Sequence, residues 1–142
     1  DDDETSIVHG DYRLDNMILK NNQVMGILDW ELSTLGHPIA DFSYHCLSWR
    51  TQEAFWDQAK LKELGVPSEK EYMDMYCENT GKDLSKNWEF YMAFNMFKIA
   101  GILQGILGRV RDGTASSKHA EDRGMMVYPL SEAAWNTIKE NF

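Results

Sequence analysis

"IVHGDYRLDNMILKNNQVMGILDWE", residues 7–31, sets polar residues between short apolar runs. Met17–Lys20 and residues 24–28 have the length and composition of two neighbouring strands. Asn21 and Asn22 between them predict a tight turn, because asparagine tolerates the positive φ that such turns require. The stretch therefore predicts a small β-hairpin with a polar loop in front of it.

Three polar residues of this stretch are spaced as a catalytic site would require. Asp11 and Asn16 bracket one tight loop, and Asp29 ends the second predicted strand. A hairpin returns the end of its second strand to the start of its first, so we expect Asp29 beside Asn16. Carboxylate and amide oxygens suit Mg²⁺, which takes hard oxygen ligands and few of them from protein. Asp11 is then left to accept the proton of a substrate hydroxyl, as phosphoryl transfer requires.

The chain beyond Gly36 changes to an apolar period of about 3.6 residues, which is typical of helices. A hairpin alone is marginal in water and must pack against them or against a partner. The pattern predicts an α+β, mainly α, fold in one domain or lobe. Two helices are expected at 41–49 and 51–64, and a third begins at the capping box of Ser68 and Glu71 and ends before Gly81. A long core helix is expected at 85–111, capped by Ser85. A last helical region is expected at 117–141, broken near Pro129.

Composition and charge exclude several classes of function. The 142 residues carry 14 basic and 23 acidic side chains, a net charge of −9, which argues against nucleic acid and anionic membranes as partners. Cys46 and Cys77 lie far apart without a CxxC motif, so we expect two reduced thiols and a cytoplasmic location. The most apolar segment, 90–110, is interrupted by polar residues and predicts a buried helix, not a membrane span: Asn95, Lys98, Gln104 and Arg109.

The motif "HGDYRLDN" followed by "ILDWE" resembles the catalytic loop and metal-binding segment of aminoglycoside-phosphotransferase-like kinases. These enzymes are relatives of choline kinases and, more remotely, of protein kinases. The shared pattern is H-x-D, four residues, N, and then an acid borne on a strand. The continuation "ELSTLGHPIADFSYHCL" closely resembles the kinase-like domain that is fused to, or encoded beside, certain acyl-CoA dehydrogenases.

The resemblance implies a role for each polar residue of the motif. Asp11 becomes the catalytic base, and Asn16 and Asp29 become the ligands of the metal that accompanies the nucleotide. His9 becomes a scaffold within the catalytic loop, and Asp41 a structural acid that ties the following helix to that loop. The implied cofactors are Mg²⁺ and ATP.

A kinase of this type also has an N-terminal lobe, with a loop that covers the nucleotide and a lysine that pairs with its phosphates. No glycine-rich loop precedes His9. We therefore expect residues 1–142 to be the C-terminal lobe of a kinase-like domain, with the N-terminal nucleotide lobe absent. Its catalytic loop and metal-binding hairpin are expected at 7–31 and its helical subdomain at 41–142. We expect the lobe alone to be inactive, with its hairpin side poorly covered or buried in a homodimer.

The predicted function is ATP- and Mg²⁺-dependent phosphoryl transfer to a hydroxyl of a small molecule. The resemblance suggests a hydroxyacyl-CoA acceptor, whereas the acidic balance favours an aminoglycoside-like or choline-like amine. Two alternatives stay open at this point. One is a non-catalytic kinase-like module that binds a ligand or a partner, and the other is a metal-dependent hydrolase that uses His9 and Asp11 as ligands.

Overall fold

The predicted hairpin forms in the computed structural model of the chain, which describes residues 4–51 and 58–142. β2 (Met17–Lys20) pairs antiparallel with β3 (Gln23–Ile27), and the register shifts once between Ile18 and Leu19. Asn21 and Asn22 in the turn have φ values of 51° and 59°, as the turn prediction requires. The hairpin is therefore set by its turn as well as by its apolar strands.

A second pair of strands, which the sequence did not indicate in full, closes the segment that carries the motif. β1 (Ser6–Val8) includes the predicted strand at Ile7 and Val8, and it pairs antiparallel with β4 (Thr34–Gly36). The segment from His9 onward thus leaves β1, forms the loop and the hairpin, and returns beside its own starting point at β4. This closure holds both ends of the polar segment together.

The helix that follows β4 is longer than predicted. α1 spans Pro38–Thr51, and Pro38 occupies its first turn, where a missing N–H costs nothing. α1 packs against β1. Beyond it, α2 is described over Gln58–Glu63, and part of the helix predicted at 51–64 falls outside the described residues.

The capping box predicted for the next helix is confirmed. α3 spans Glu69–Thr80, with the Ser68 side chain accepting from the Glu71 amide and the Glu71 side chain bonding to the Ser68 amide. Gly81 ends the helix in the left-handed region with a φ of 71°, a conformation that glycine adopts without strain.

Two compact units divide the chain, Asp1–Trp88 and Glu89–Phe142. In the first unit, the Phe42 ring of α1 stacks on Tyr76 of α3 with centroids 3.9 Å apart. Glu69 accepts from the Arg50 guanidinium at 2.7 Å and from the Trp88 indole at 2.9 Å. These contacts hold α1 and α3 together, and α1 therefore offers a fixed surface to the polar loop.

The second unit contains three helices: α4 (Trp88–Arg111), α5 (Ala120–Met125) and α6 (Val127–Asn141). The first residue of α4, Trp88, is the last residue of the first unit. Ser85 does not cap α4, because its amide donates to the Asp83 side chain in a turn and the helix begins three residues later. Pro129 lies in the first turn of α6, so the predicted break falls just before it.

The predicted core helix is present as α4, but only one face of it is buried. Trp88, Met92, Met96 and Ala100, four residues apart, are buried. Phe97 is 73% exposed, and Phe90, Phe94 and Ile102 are about half exposed. By length and composition alone α4 is also apolar enough to cross a membrane, a property that helices of buried cores share. The absence of a membrane span stays a prediction.

The hairpin side of the first unit is poorly covered, as expected. Its exposed apolar side chains belong to both strands of the hairpin and to the turn after it: Ile18, Leu19, Val24, Met25, Leu28, Trp30 and Leu32. Burial of this surface in a homodimer stays a prediction. Cys46 is fully buried and Cys77 is half-buried, and neither forms a disulfide.

Candidate active site

The polar loop after β1 is anchored to α1 through one carboxylate. Asp41 lies in the first turn of α1, and its side chain accepts from the backbone amides of His9 and Gly10, the latter at 2.8 Å. These two amides immediately precede Asp11 in the chain. Asp41 therefore determines where the backbone enters the loop, which is the place that the resemblance implied for it.

His9 links the loop to the end of β3. Its ring is 2% exposed, the Asp11 amide donates to Nδ1 at 3.2 Å, and Nε2 lies 2.7 Å from the Leu28 carbonyl oxygen. Because Nδ1 accepts, Nε2 carries the hydrogen and donates to Leu28. Both ring nitrogens are thus engaged by the backbone, which suits a scaffold and not a metal ligand. Within 4–51 and 58–142, no three His, Cys, Asp or Glu side chains cluster to hold a metal ion.

Gly10 makes the turn between His9 and Asp11 possible. Its φ is +85°, and a Cβ built on it would lie 2.6 Å from the Leu32 carbonyl oxygen, which is backbone and cannot swing away. We therefore expect Gly10→Ala to destabilise the fold by about 1–3 kcal/mol and to displace the loop.

Denaturant unfolding of the purified chain measures this destabilisation. Gly101→Ala is the matched control, because nothing lies within 4 Å of the added methyl group and alanine favours a helix over glycine. An unfolding midpoint for Gly10→Ala equal to that of the parent chain would show that the loop tolerates a side chain there.

The Asp11 carboxylate accepts two side-chain hydrogen bonds and pairs with one cation. Tyr44 Oη donates to Oδ1 at 2.6 Å, Asn16 Nδ2 donates to Oδ2 at 2.9 Å, and Arg13 Nε lies 3.3 Å from Oδ2. Partial burial works to raise the pKa of Asp11, but the hydrogen bonds from Tyr44 and Asn16 and the charge of Arg13 outweigh it. The pKa of this carboxyl is therefore held below its usual range.

Asn16 is buried, and its orientation is defined by its donor group. Nδ2 donates both to the Asp11 carboxylate and to the Asp11 carbonyl oxygen at 2.9 Å. The amide oxygen is consequently turned away from Asp11, and no donor to it occurs in the part of the chain that the structure describes. Such an oxygen is a suitable hard ligand for a cation.

Asp29 lies at the end of β3 in an unusual backbone conformation. Its φ is 65° and its ψ is 54°, and its exposed side chain makes no capping hydrogen bond to the 3₁₀ turn Trp30–Leu32 that follows. The neighbouring Leu28 amide donates to the Asn16 carbonyl oxygen at 2.8 Å. The hairpin thus returns Asp29 to the vicinity of Asn16, and the two side chains offer the hard oxygen donors that Mg²⁺ takes from protein.

Two residues of this site were not predicted from the sequence. Tyr44 lies on α1, three residues after Asp41. In the sequence, this spacing signals that the two side chains lie on one face of a helix. Burial first, and then the hydrogen bond to Asp11, raise the pKa of Tyr44 well above its usual range. Arg13 lies closer to Asp11 than to Asp15, at 3.3 Å against 3.8 Å.

A cavity of about 400 Å³ in the first unit shares one residue, Asp41, with this site. It is mostly apolar and is lined by Tyr12, Phe42, Tyr72 and Tyr76 among others, but not by Asp11, Asn16 or Asp29. Of the proposed reactive groups, Asp29 is exposed, Asp11 is partly buried and Asn16 is buried.

Comparisons with known proteins find several that are similar to this chain. The model of the phosphotransferase enzyme family matches residues 1–76. Acyl-CoA dehydrogenase family member 10 of Mus musculus is 43% identical over 97% of this chain and 14% of its own length. Acyl-CoA dehydrogenase family member 11 of Homo sapiens is 37% identical over 99% of this chain and 19% of its own length. The chain therefore spans less than a fifth of either relative.

A solved structure has the same fold. A crystal structure assigned as an aminoglycoside phosphotransferase from Ralstonia eutropha superposes with a TM-score of 0.87 at 49% identity, over 97% of this chain and 44% of its own. The predicted α+β, mainly α, class with a kinase-like topology is confirmed. The resemblance drawn from "HGDYRLDN" and "GHPIADF" is confirmed as well.

Proposed function

The chain belongs to the phosphotransferase enzyme family, and from this premise we propose that it is the catalytic lobe of an ATP- and Mg²⁺-dependent kinase that phosphorylates a hydroxyl of a small molecule. One observation carries the proposal: the Asp11 carboxylate and the Asn16 amide are hydrogen-bonded to each other, and the hairpin returns Asp29 to Asn16. A base and two hard oxygen donors at one place are the parts that phosphoryl transfer needs.

In the proposed reaction the acceptor hydroxyl donates its proton to Asp11 as its oxygen attacks the γ-phosphorus of ATP. The new oxygen–phosphorus bond forms while the bond from the γ-phosphorus to the bridging oxygen of ADP breaks. Asn16 and Asp29 would hold Mg²⁺, which when bound neutralises charge on the phosphates. Arg13, with its side chain half exposed, adds a positive charge beside Asp11.

The acceptor is the least constrained part of the proposal. Relatives named acyl-CoA dehydrogenase family members support an acceptor that carries a hydroxyacyl-CoA group. The structural neighbour supports an aminoglycoside-like acceptor, and the net charge of −9 favours cations of that kind or choline-like amines. We keep all of these acceptor classes in the proposal, because the relatives and the structural neighbour each match nearly the whole chain.

The test is a transfer assay on the full-length protein that contains this chain. The protein is incubated with γ-labelled ATP, Mg²⁺ and a panel of hydroxyacyl-CoA, aminoglycoside and choline-like acceptors. We expect label on the hydroxyl of one acceptor class, and none when Mg²⁺ is chelated. ATP binding without transfer to any acceptor of the panel would instead favour a non-catalytic binding module.

Asp29→Asn is expected to weaken metal binding more than it weakens acceptor binding. Removing a charged oxygen ligand from a site with few protein ligands should raise the Mg²⁺ concentration for half-maximal activity by about 10- to 100-fold. Calorimetric titration of Mn²⁺ into the protein gives a second measurement that needs no turnover. Asp112→Asn is the control, because Asp112 is an exposed acid that pairs with its neighbour Arg111. Equal metal affinity in both variants would remove Asp29 from the site.

A further inference from the structure

Tyr44 contacts the Asp11 carboxylate but has no role in the reaction proposed above. Its hydroxyl donates to Asp11 Oδ1 at 2.6 Å, across 33 positions of sequence. Three residues earlier on the same helix, Asp41 holds the amides of His9 and Gly10. Residues three apart lie on one face of a helix, so α1 holds both the backbone of the loop and the carboxylate that the loop presents.

The groups around the Asp11 carboxylate differ between its two oxygens. An ionised carboxylate has about four lone-pair positions, two on each oxygen. On Oδ2, Asn16 Nδ2 uses one, and the Arg13 guanidinium lies beside the same oxygen in an ion pair at 3.3 Å. On Oδ1, Tyr44 Oη uses one, and no charged side chain is paired with that oxygen. Because Oδ2 is flanked by both Asn16 and Arg13, we expect an acceptor hydroxyl that gives its proton to Asp11 to approach Oδ1, beside the Tyr44 hydroxyl.

We propose that Tyr44 is the positioning residue of the base: its hydroxyl fixes the rotation of the Asp11 carboxylate so that the open lone pair of Oδ1 meets the acceptor hydroxyl. This inference rests on the proposed function, since it assigns a subsite of that same reaction. Tyr44 acts through Asp11 and is not one of the proposed metal ligands. Its support is rigid, because Ser43 and Cys46 on either side of it in α1 are fully buried.

Tyr44→Phe in the full-length protein tests the inference, because it removes the hydroxyl and keeps the ring. We expect kcat to fall about tenfold while the KM for ATP stays within about twofold, since orientation of the base and not nucleotide binding is lost. In an Asp11→Asn background the same substitution should have no further effect on kcat. Tyr76→Phe is the control, because the Tyr76 hydroxyl has no hydrogen-bond partner among the described residues and its ring packs on the same helix.

Three outcomes overturn the inference: an unchanged kcat for Tyr44→Phe, a fall equal to that of Tyr76→Phe, or a parallel rise in the KM for ATP. A crystal structure of each protein supplies a readout that does not need turnover. We expect the Asp11 carboxylate to rotate or to occupy two conformers in Tyr44→Phe and to keep one in the parent protein. If no acceptor is phosphorylated, the proposed function fails, and this structural comparison still decides the role of Tyr44: a single unchanged conformer would reject it.

Discussion

Asp11→Asn is expected to lower kcat of the full-length protein by about 100- to 10,000-fold, the range that a general base contributes to an enzymatic rate. The amide has nearly the size of the carboxylate, so the loop keeps its shape, but it does not take up the proton of an acceptor hydroxyl. The KM for ATP should change little, because the proposed metal ligands, Asn16 and Asp29, are intact. Steady-state kinetics with the acceptor found in the transfer assay measures both parameters.

Asp15→Asn is the matched control for this experiment. Asp15 belongs to the same loop, its side chain is 81% exposed, and its ion pair with Arg13 is the longer of the two that Arg13 makes. The same chemical change four residues from Asp11 should leave kcat within about twofold, because an exposed ion pair contributes little. Similar losses in both variants would mean that the charge of the loop matters and that Asp11 is not the base.

Asp41→Asn is expected to destabilise the chain by about 3 kcal/mol, since hydrogen bonds to a charged group contribute about 1.5–3 kcal/mol each. The Asp41 carboxylate accepts from two backbone amides, those of His9 and Gly10. An amide side chain has one acceptor oxygen, so one of the two N–H groups would face another donor. The loop should loosen at its entry, and kcat should fall together with stability.

Denaturant unfolding of the purified chain and kinetics of the full-length protein measure the two effects of Asp41→Asn. Asp74→Asn is the control, because Asp74 pairs with Lys70 on the exposed side of α3, and we expect a change within about 0.5 kcal/mol. An Asp41→Asn variant as stable as this control would show that the amides of the loop find other acceptors.

Local chemistry explains why much of the fold was predictable from the sequence. Positive φ at Asn21 and Asn22, the capping box of Ser68 and Glu71, and the left-handed Gly81 each depend on residues within a few positions of one another. β4 was missed because three residues, Thr34–Gly36, carry too little alternation to signal a strand, and their pairing with β1 is decided across the loop. The start of α4 was predicted at Ser85, but the Ser85 amide donates to the Asp83 side chain in a turn, and the helix begins at Trp88.

In the site, too, residues that are close in sequence were predicted, and residues that are brought together only by folding were not. Asp11, Asn16 and Asp29 share one motif and one hairpin, so their approach followed from the register of the strands. Tyr44 was not foreseen, because a tyrosine within a helical pattern carries no sign of where its hydroxyl ends. The closer pairing of Arg13 with Asp11 also depends on how the loop folds and not on spacing. The roles proposed for these residues remain predictions for the experiments above.

The attachment of the loop to α1 has a consequence for how such sites arise. The most distant hydrogen bond of the site, from Tyr44 to Asp11, joins residues 33 positions apart, and those made by Asp41 join residues 31 and 32 apart. Closing a segment of this length costs little more than closing a shorter one, because loop entropy grows slowly with length. The chemistry is therefore encoded in one short, self-closing piece of chain. Evolution is free to exchange the helices beyond it, and with them the compound that is bound, without rebuilding the reactive centre.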